Sequence, residues 1–300
     1  MTAFRSRLRA CRSFHLTPGS RPERFSAASA VGGDGIMVDL ESTVAPEDKG
    51  RAREAALTFF RQAPQPDFVR LLRINSPRSV EGLRDLLALH ESAGRPDAIV
   101  IPKCQSADEI RVVADIFDSA QSTIGIVPMV ELARAVFVAE LMADAHDRVC
   151  GLFLGGGDLA ADLGADGSWE NLLFGRSQMV AAAATSGIAA IDVPYFKGDE
   201  VGLRQEATAS RKLGMTGKAA LHAEQLPTIN TIFSPPPEAV SRAQAVMAAI
   251  SSAGTGTPVL AGHAVETAMV READRVLAIA GRLRDGTLGS SPRTPAISAL

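Results

Sequence analysis

The chain has 300 residues, 46% hydrophobic and 22% charged, with a formal net charge of −3. That length suits one large domain or one domain with a modest appendage, and the charged fraction argues against global disorder. The near-neutral balance excludes a nucleic-acid surface, and no apolar stretch reaches the roughly 18–20 residues needed to cross a bilayer.

Met1 to Phe14 carries four arginines and no acid. It lacks the apolar core of a secretory signal, so it reads as a solvated arm, with a short transit-like leader as the other reading. Short apolar runs then recur at Ser13–Thr17, Ile36–Glu41, Val69–Ile74, Ala98–Pro102, Thr123–Val130, Val149–Leu154, Ala189–Val193 and Ala219–Leu221. Each is apolar almost throughout, as expected of a parallel strand covered on both faces. Helical spacing separates them at Pro46–Arg61, Val80–Ser92, Ala107–Ser119, Leu132–Ala143, Asn171–Ser186 and Glu200–Leu213. Ser20-x-x-Glu23 and Ser106-x-x-Glu109 have capping-box spacing, and Ser234-Pro235 reads as a helix start. Gly94, Gly187 and Gly214 fall where helices should stop.

Strands alternating with helices over this length predict a TIM-type (β/α)8 barrel at residues 12–232, with a doubly wound open sheet as the runner-up. Residues 233–284 predict a C-terminal helical extension without an independent core, with helices near Pro237–Ser252 and Val265–Leu283. The Gly/Ser/Thr/Pro-rich tail 285–300 predicts disorder. Cys11, Cys104 and Cys150 form no disulfide or zinc pattern. They suit a reducing, cytoplasmic compartment, and Cys104 and Cys150 read as buried packing residues.

In a parallel barrel the chemistry gathers where strands end. Here the ends offer Asp39 and Glu41, then Arg73 and Asn75, then Lys103, Glu131 and Gly155-Gly156-Gly157-Asp158. Asp192 with Pro194 and Tyr195, and Lys218 with His222, complete the set. Glu131 and Asp158 suit Mg2+, which takes one or two carboxylates and keeps water and substrate oxygens; capping of the following helix is the alternative. The three glycines let a backbone approach a carboxylate or oxyanion, or make a tight turn. Arg73 must meet an anion, either a substrate carboxylate or Asp39 or Glu41. His15 and His222 read as packing or loop-ordering residues, Trp169 as a loop anchor, and Arg21 and Arg24 as a solvated helix start or a phosphate contact.

Together these segments resemble the HpcH/HpaI aldolase and citrate lyase beta-subunit (CitE-like) family over residues 12 to 283. The carrying pieces include Thr17-Pro18-Gly19-Ser20-Arg21-Pro22-Glu23-Arg24, Val38-Asp39-Leu40-Glu41, Arg73-Ile74-Asn75 and Ile101-Pro102-Lys103. Glu131, Gly156-Gly157-Asp158-Leu159-Ala160, Ile191-Asp192 and Gly217-Lys218 through Leu221-His222 continue the pattern. Three places depart from it. Ser42-Thr43 replaces an Asp-Ala pair, Leu221-His222-Ala223 replaces Ile-His-Pro, and Gly262-His263-Ala264-Val265-Glu266 stands where CoA lyases carry an aspartate.

The resemblance implies a Mg2+-dependent carbon–carbon lyase acting on citramalyl-, malyl- or citryl-CoA or a related acyl thioester through a metal-stabilised enolate. It implies Mg2+ on Glu131 and Asp158, and a substrate carboxylate on Arg73 and the amides near Gly157–Leu159, with Pro194 at the binding site. Glu41, Glu266 and Asp39 are the candidates for catalysis. It also implies a homotrimer or hexamer whose C-terminal segment reaches over a neighbour's site. Alternatives are condensation in the reverse direction, thioester hydrolysis, a CoA-independent pyruvate-type aldolase, and a catalytically reduced subunit that binds an oxo-acid or CoA.

Overall fold

The computed structural model describes residues 2–63, 65, 67–120, 122–254 and 256–285. The chain divides into two compact units between Ser234 and Pro235. The first contains eight strands: β1 (Ser13–Pro18), β2 (Gly35–Asp39), β3 (Val69–Arg73), β4 (Ala98–Ile101), β5 (Gly125–Val130), β6 (Gly151–Leu154), β7 (Ala189–Asp192) and β8 (Gly217–Ala220). Each pairs in parallel with the next, and β1 pairs with β8 through Ser13↔Lys218, Phe14↔Ala219 and His15↔Ala220. That last ladder closes the barrel and excludes the open-sheet alternative.

Every residue of β2 to β8 is buried, because alternate side chains enter two different cores. Phe14, Met37, Leu71, Val127, Met129, Phe153 and Ile191 fill the barrel interior. Ile36, Val38, Leu72, Ile99, Ile101 and Leu152 face the surrounding helices. Those helices include Lys49–Arg61, Val80–Glu91, Ala107–Ser119, Leu173–Thr185 and Glu200–Leu213.

The residues preceding β1 correct the expectation of a solvated arm. Thr2–Arg9 is a helix whose Leu8 is buried within the interior core, with Phe4 packed beside it one turn away. Arg5 Nε donates to Val149 O at 2.9 Å, and Arg7 pairs with Asp97 at 2.8 Å. Both partners precede strands, so this helix closes the end of the barrel opposite the strand termini.

Other local expectations also change. Leu132–Ala143 is two short helices, Ala133–Phe137 and Ala139–Ala143, broken at Val138 (φ −112°, ψ 12°) within a β-branched and aromatic run of low helix propensity. Ser106 does accept from Glu109 N, at 3.4 Å, but Glu109 reaches Gln105 N instead of completing the box. Ser20 caps nothing: the short turn Pro22–Arg24 begins at Arg21 without a side-chain cap. Ser234 terminates helix Leu226–Phe233, its hydroxyl donating to Asn230 O at 2.7 Å, and the next helix starts at Pro237.

The second unit pairs helices Pro237–Ala253 and Thr267–Asp285 around Ala243, Val246 and Ala273. This small core corrects the expectation that the extension has none. Its hairpin joins Val259–Leu260 to His263–Ala264 through Ala261 (φ 51°) and Gly262 (φ 83°), the two positive φ values a type I′ turn requires. The tail expected to be disordered lies, from residue 286, outside the described residues. Among the described residues no helix is long and apolar enough to cross a membrane.

Candidate active site at the carboxyl end of the barrel

The two-residue period of a strand decides which terminal charges face the interior. Met37 and Leu71 point inward, so Asp39 and Arg73, two residues on, do the same. Met129 likewise carries Glu131 inward, and Phe153 carries Gly155. Asp192 and Lys218 have the other parity: their neighbours Ile191 and Ala219 are the interior residues.

Arg73 meets Asp39 in a two-point contact, Nε to Oδ1 at 2.6 Å and Nη2 to Oδ2 at 2.7 Å. Asp39 also accepts from Glu41 N (2.8 Å), Thr43 N (3.0 Å) and Thr43 Oγ1 (2.5 Å). Burial opposes its charge, but the Arg73 guanidinium and these donors hold its carboxyl below the usual range. Five donors occupy the Asp39 carboxylate, which anchors Arg73. Ser42, one of the departures from the family pattern, accepts from Arg73 Nη2 at 2.6 Å, and Thr43, the other, donates to Asp39. Both substitutions therefore support the arginine. Arg73 Nη1 is the remaining donor, 3.5 Å from Glu41 Oε2, and that oxygen has no hydrogen-bond partner.

Glu131 is 1% exposed, and its Oε1 accepts from Lys103 N at 2.5 Å. Burial, reinforced by the charges of Asp158 and Glu41, pushes its carboxyl up to about 7. Gly155 makes room for it: a Cβ there would lie 2.3 Å from both Glu131 Cβ and Oε2. Asp158 is half-buried in the first turn of helix Gly156–Leu163. Among the described residues no group of three or more His, Cys, Asp or Glu could enclose a metal ion. The two carboxylates Glu131 and Asp158 could hold one that keeps several waters, as Mg2+ does. A buried carboxyl raised partly by a neighbouring acid is a site that a cation would stabilise.

Glu131, Arg73, Asp158, Gly157, Pro194, Ser42 and Thr43 line one cavity of about 310 Å³, floored by Met37, Met129 and Phe153. Helix Gly156–Leu163 opens on it, and first-turn N–H groups such as those of Gly157 and Asp158 have no intrahelical partner. The Leu159 amide does not belong to that set, since it donates to Gly155 O at 3.0 Å and its side chain is buried.

The structure takes other candidates elsewhere. Asp192 lies outside the interior, paired with Lys218 at 2.8 Å and Arg176 at 3.2 Å. Burial opposes its charge, and the two cations outweigh that and lower its pKa. Asn75 donates to Asp85. His15 Nδ1 pairs with Thr17 Oγ1 at 3.1 Å, and burial lowers the pKa of its ring. His222 and Gln225 cap a short turn reciprocally, and Trp169 lies 4.4 Å beneath the Arg176 guanidinium. Cys11, Cys104 and Cys150 are buried, the last two free and pushed up to about 12 by burial, and Cys11 Sγ donates to Arg7 O at 3.3 Å. Glu266 belongs to the second unit, where its carbonyl accepts from Met269 N and Val270 N at the start of helix Thr267–Asp285. Lys103 and Gly155 are the neighbours of Glu131 that the sequence marks least. Lys103 was visible only as a cation after Pro102 at a strand end, and Gly155 only as one of three glycines.

Known proteins fit this arrangement. The profile of the HpcH/HpaI aldolase/citrate lyase family matches residues 12–223. An L-malyl-CoA/beta-methylmalyl-CoA lyase of Cereibacter sphaeroides is 31% identical, over 87% of this chain and 91% of the relative. A (3S)-malyl-CoA thioesterase of the same species is 33% identical, over 89% and 93%. The CitE structure from Mycobacterium tuberculosis, in complex with magnesium, acetoacetate and coenzyme A, superposes with a TM-score of 0.72 at 29% identity, covering 91% of this chain and all of the other. This chain, matched by the family profile over more than two thirds of its length, belongs to the HpcH/HpaI aldolase/citrate lyase family.

Proposed function

We propose that this protein is a Mg2+-dependent carbon–carbon lyase that cleaves a hydroxy-acid CoA thioester of the malyl type. The observation that carries the reading is the convergence of Arg73, Glu131, Asp158 and the open end of helix Gly156–Leu163 on a single cavity at the strand termini. The magnesium and CoA of the CitE structure and the malyl-CoA activities named for the relatives support it.

Glu131 and Asp158 would hold the Mg2+ ion, which when bound supplies Lewis-acid polarisation of the substrate oxygen. Arg73, with Nε and Nη2 committed to Asp39 and Ser42, presents Nη1 to the substrate carboxylate. The Gly157 and Asp158 amides orient a second oxygen. The hydroxyl proton passes to Glu41 Oε2, whose free lone pairs can accept it. The carbon–carbon bond electrons then move onto the thioester, which is reprotonated at carbon by water. The free, buried thiols of Cys104 and Cys150 suit a cytoplasmic setting. We also propose a trimer or hexamer, consistent with exposed Phe137 and Phe174, whose ring centroids lie 6.1 Å apart in a tilted pair. Light scattering would reveal a monomer if that is wrong.

The test is a panel of malyl-, citramalyl- and citryl-CoA assayed with Mg2+ and with chelator. Cleavage should require Mg2+ and vanish in Asp158→Ala without loss of fold; undiminished turnover by that variant in chelator refutes the reading. The thioesterase named among the relatives motivates one second reading, hydrolysis, distinguished by release of free CoA with the intact hydroxy acid.

A further inference from the structure

We infer that Lys103 is the positioning residue of this site: its backbone N–H holds Glu131, its ammonium group holds Glu41, and its left-handed φ lets one residue do both. The inference rests on the function proposed above, which makes Glu131 a metal ligand and Glu41 the proton acceptor.

Lys103 has φ 54°, a region that long side chains rarely occupy. Among the described residues only Asp67 and Ala261 share this without being glycine, and Ala261 lies in a hairpin turn that demands it. A strained residue persists where its surroundings over-determine it, and such residues cluster at functional sites. The surroundings here are specific. β4 ends at Ile101, so the Lys103 N–H lies beyond the ladder and is available to a side chain, and the left-handed φ sets the direction in which the side chain and the following chain leave it. The Lys103 N–H reaches Glu131 Oε1 at 2.5 Å. From the same residue, Nζ reaches Glu41 Oε1 at 2.6 Å. Glu41 is thereby fixed by one oxygen, leaving the other unbonded and 3.5 Å from Arg73 Nη1. One residue thus sets two acids that come from different strand ends. The backbone fixes the acid proposed to bind metal, and the side chain fixes the acid proposed to move the proton.

The two functions separate experimentally, because glycine and asparagine occupy the left-handed region readily, whereas alanine is strained there as lysine is and lacks the Glu41 contact that holds lysine in place. Lys103→Gly and Lys103→Asn keep the backbone turn without the ammonium group; Lys103→Ala loses both. Calorimetric titration of the free enzyme with Mg2+ should show near wild-type affinity for the glycine and asparagine variants. The alanine variant should bind about 10–100-fold more weakly, the usual effect of removing a partner that orients a metal ligand. Steady-state assays on the glycine and asparagine variants should show kcat lowered by about 10²-fold with KM little changed, the low end of what a positioned general base contributes. Thermal melting checks that each variant is folded. If the alanine and glycine variants bind Mg2+ equally, or if the glycine and asparagine variants retain wild-type kcat, the inference is overturned while the proposed function stands. If the wild type binds no Mg2+, the reading of Glu131 as a ligand falls and takes this inference with it.

Discussion

Replacing Glu131 with glutamine should make the metal-free protein more stable at pH 8, although it removes a proposed ligand. The buried Glu131 carboxyl is pushed up from 4.5 to about 7. Between those values the folded state binds the proton that the unfolded state has released. Stability therefore falls as pH rises through this window, and the full penalty is present above about pH 7. A shift of this size corresponds to about 3 kcal/mol at 1.36 kcal/mol per unit. Glutamine has the same shape, and its carbonyl can still accept from Lys103 N. For a unit of this size, about 3 kcal/mol is about 6–12 °C in melting temperature, at 2–4 °C per kcal/mol. Scanning calorimetry in chelator should thus show Glu131→Gln melting well above wild type at pH 8 and level with it near pH 4.5. Saturating Mg2+ should raise the wild type alone, by about 2.7 kcal/mol at a concentration of 100 Kd, and close most of the gap. A variant that melts at or below wild type at pH 8 in chelator, or a gap that does not change with pH, refutes the reasoning.

Gly155→Ala would place a methyl group 2.3 Å from Glu131 Cβ and Oε2, so Glu131 must move. Mg2+ affinity should drop about tenfold or more while the cavity's other members stay in place, and unchanged binding in a Mn2+ titration followed by electron paramagnetic resonance would contradict this. Asp192→Asn would leave Lys218 and Arg176 buried without their shared anion. That should cost about 3–5 kcal/mol in urea unfolding, and a loss under about 1 kcal/mol would mean that Glu206 and Val193 O satisfy Lys218 alone.

The barrel was legible because covered parallel strands are apolar on both faces, and seven of these eight are buried at every position. The N-terminal helix was not, since Phe4 and Leu8 are two apolar positions among arginines and only the barrel floor makes them a docking face. In the sequence the Ser42-Thr43 pair shows only as a replacement of the family's Asp-Ala. In the folded chain it supplies a hydroxyl to each half of the Arg73–Asp39 pair, a contact between β2 and β3 that spacing along the sequence does not reveal.

Strand parity separates the candidate acids further than their position at strand ends does. Glu131 follows one apolar strand and Asp192 ends another, and either would be costly to bury alone. Counting by twos from the interior residues Met129 and Ile191 sends the first into the cavity and the second into the layer between strands and helices. Their environments then diverge as that placement requires. Asp192 finds two buried cations and stays charged, with its pKa lowered. Glu131 has Arg73 and a backbone donor near it, yet burial and the neighbouring acids prevail and its pKa is raised. An acid whose charge is already neutralised has little to offer a cation; one held in an electron-rich cavity without full compensation has much. The difference in compensation, more than the count of carboxylates, is what distinguishes Glu131 as the place where a metal would bind.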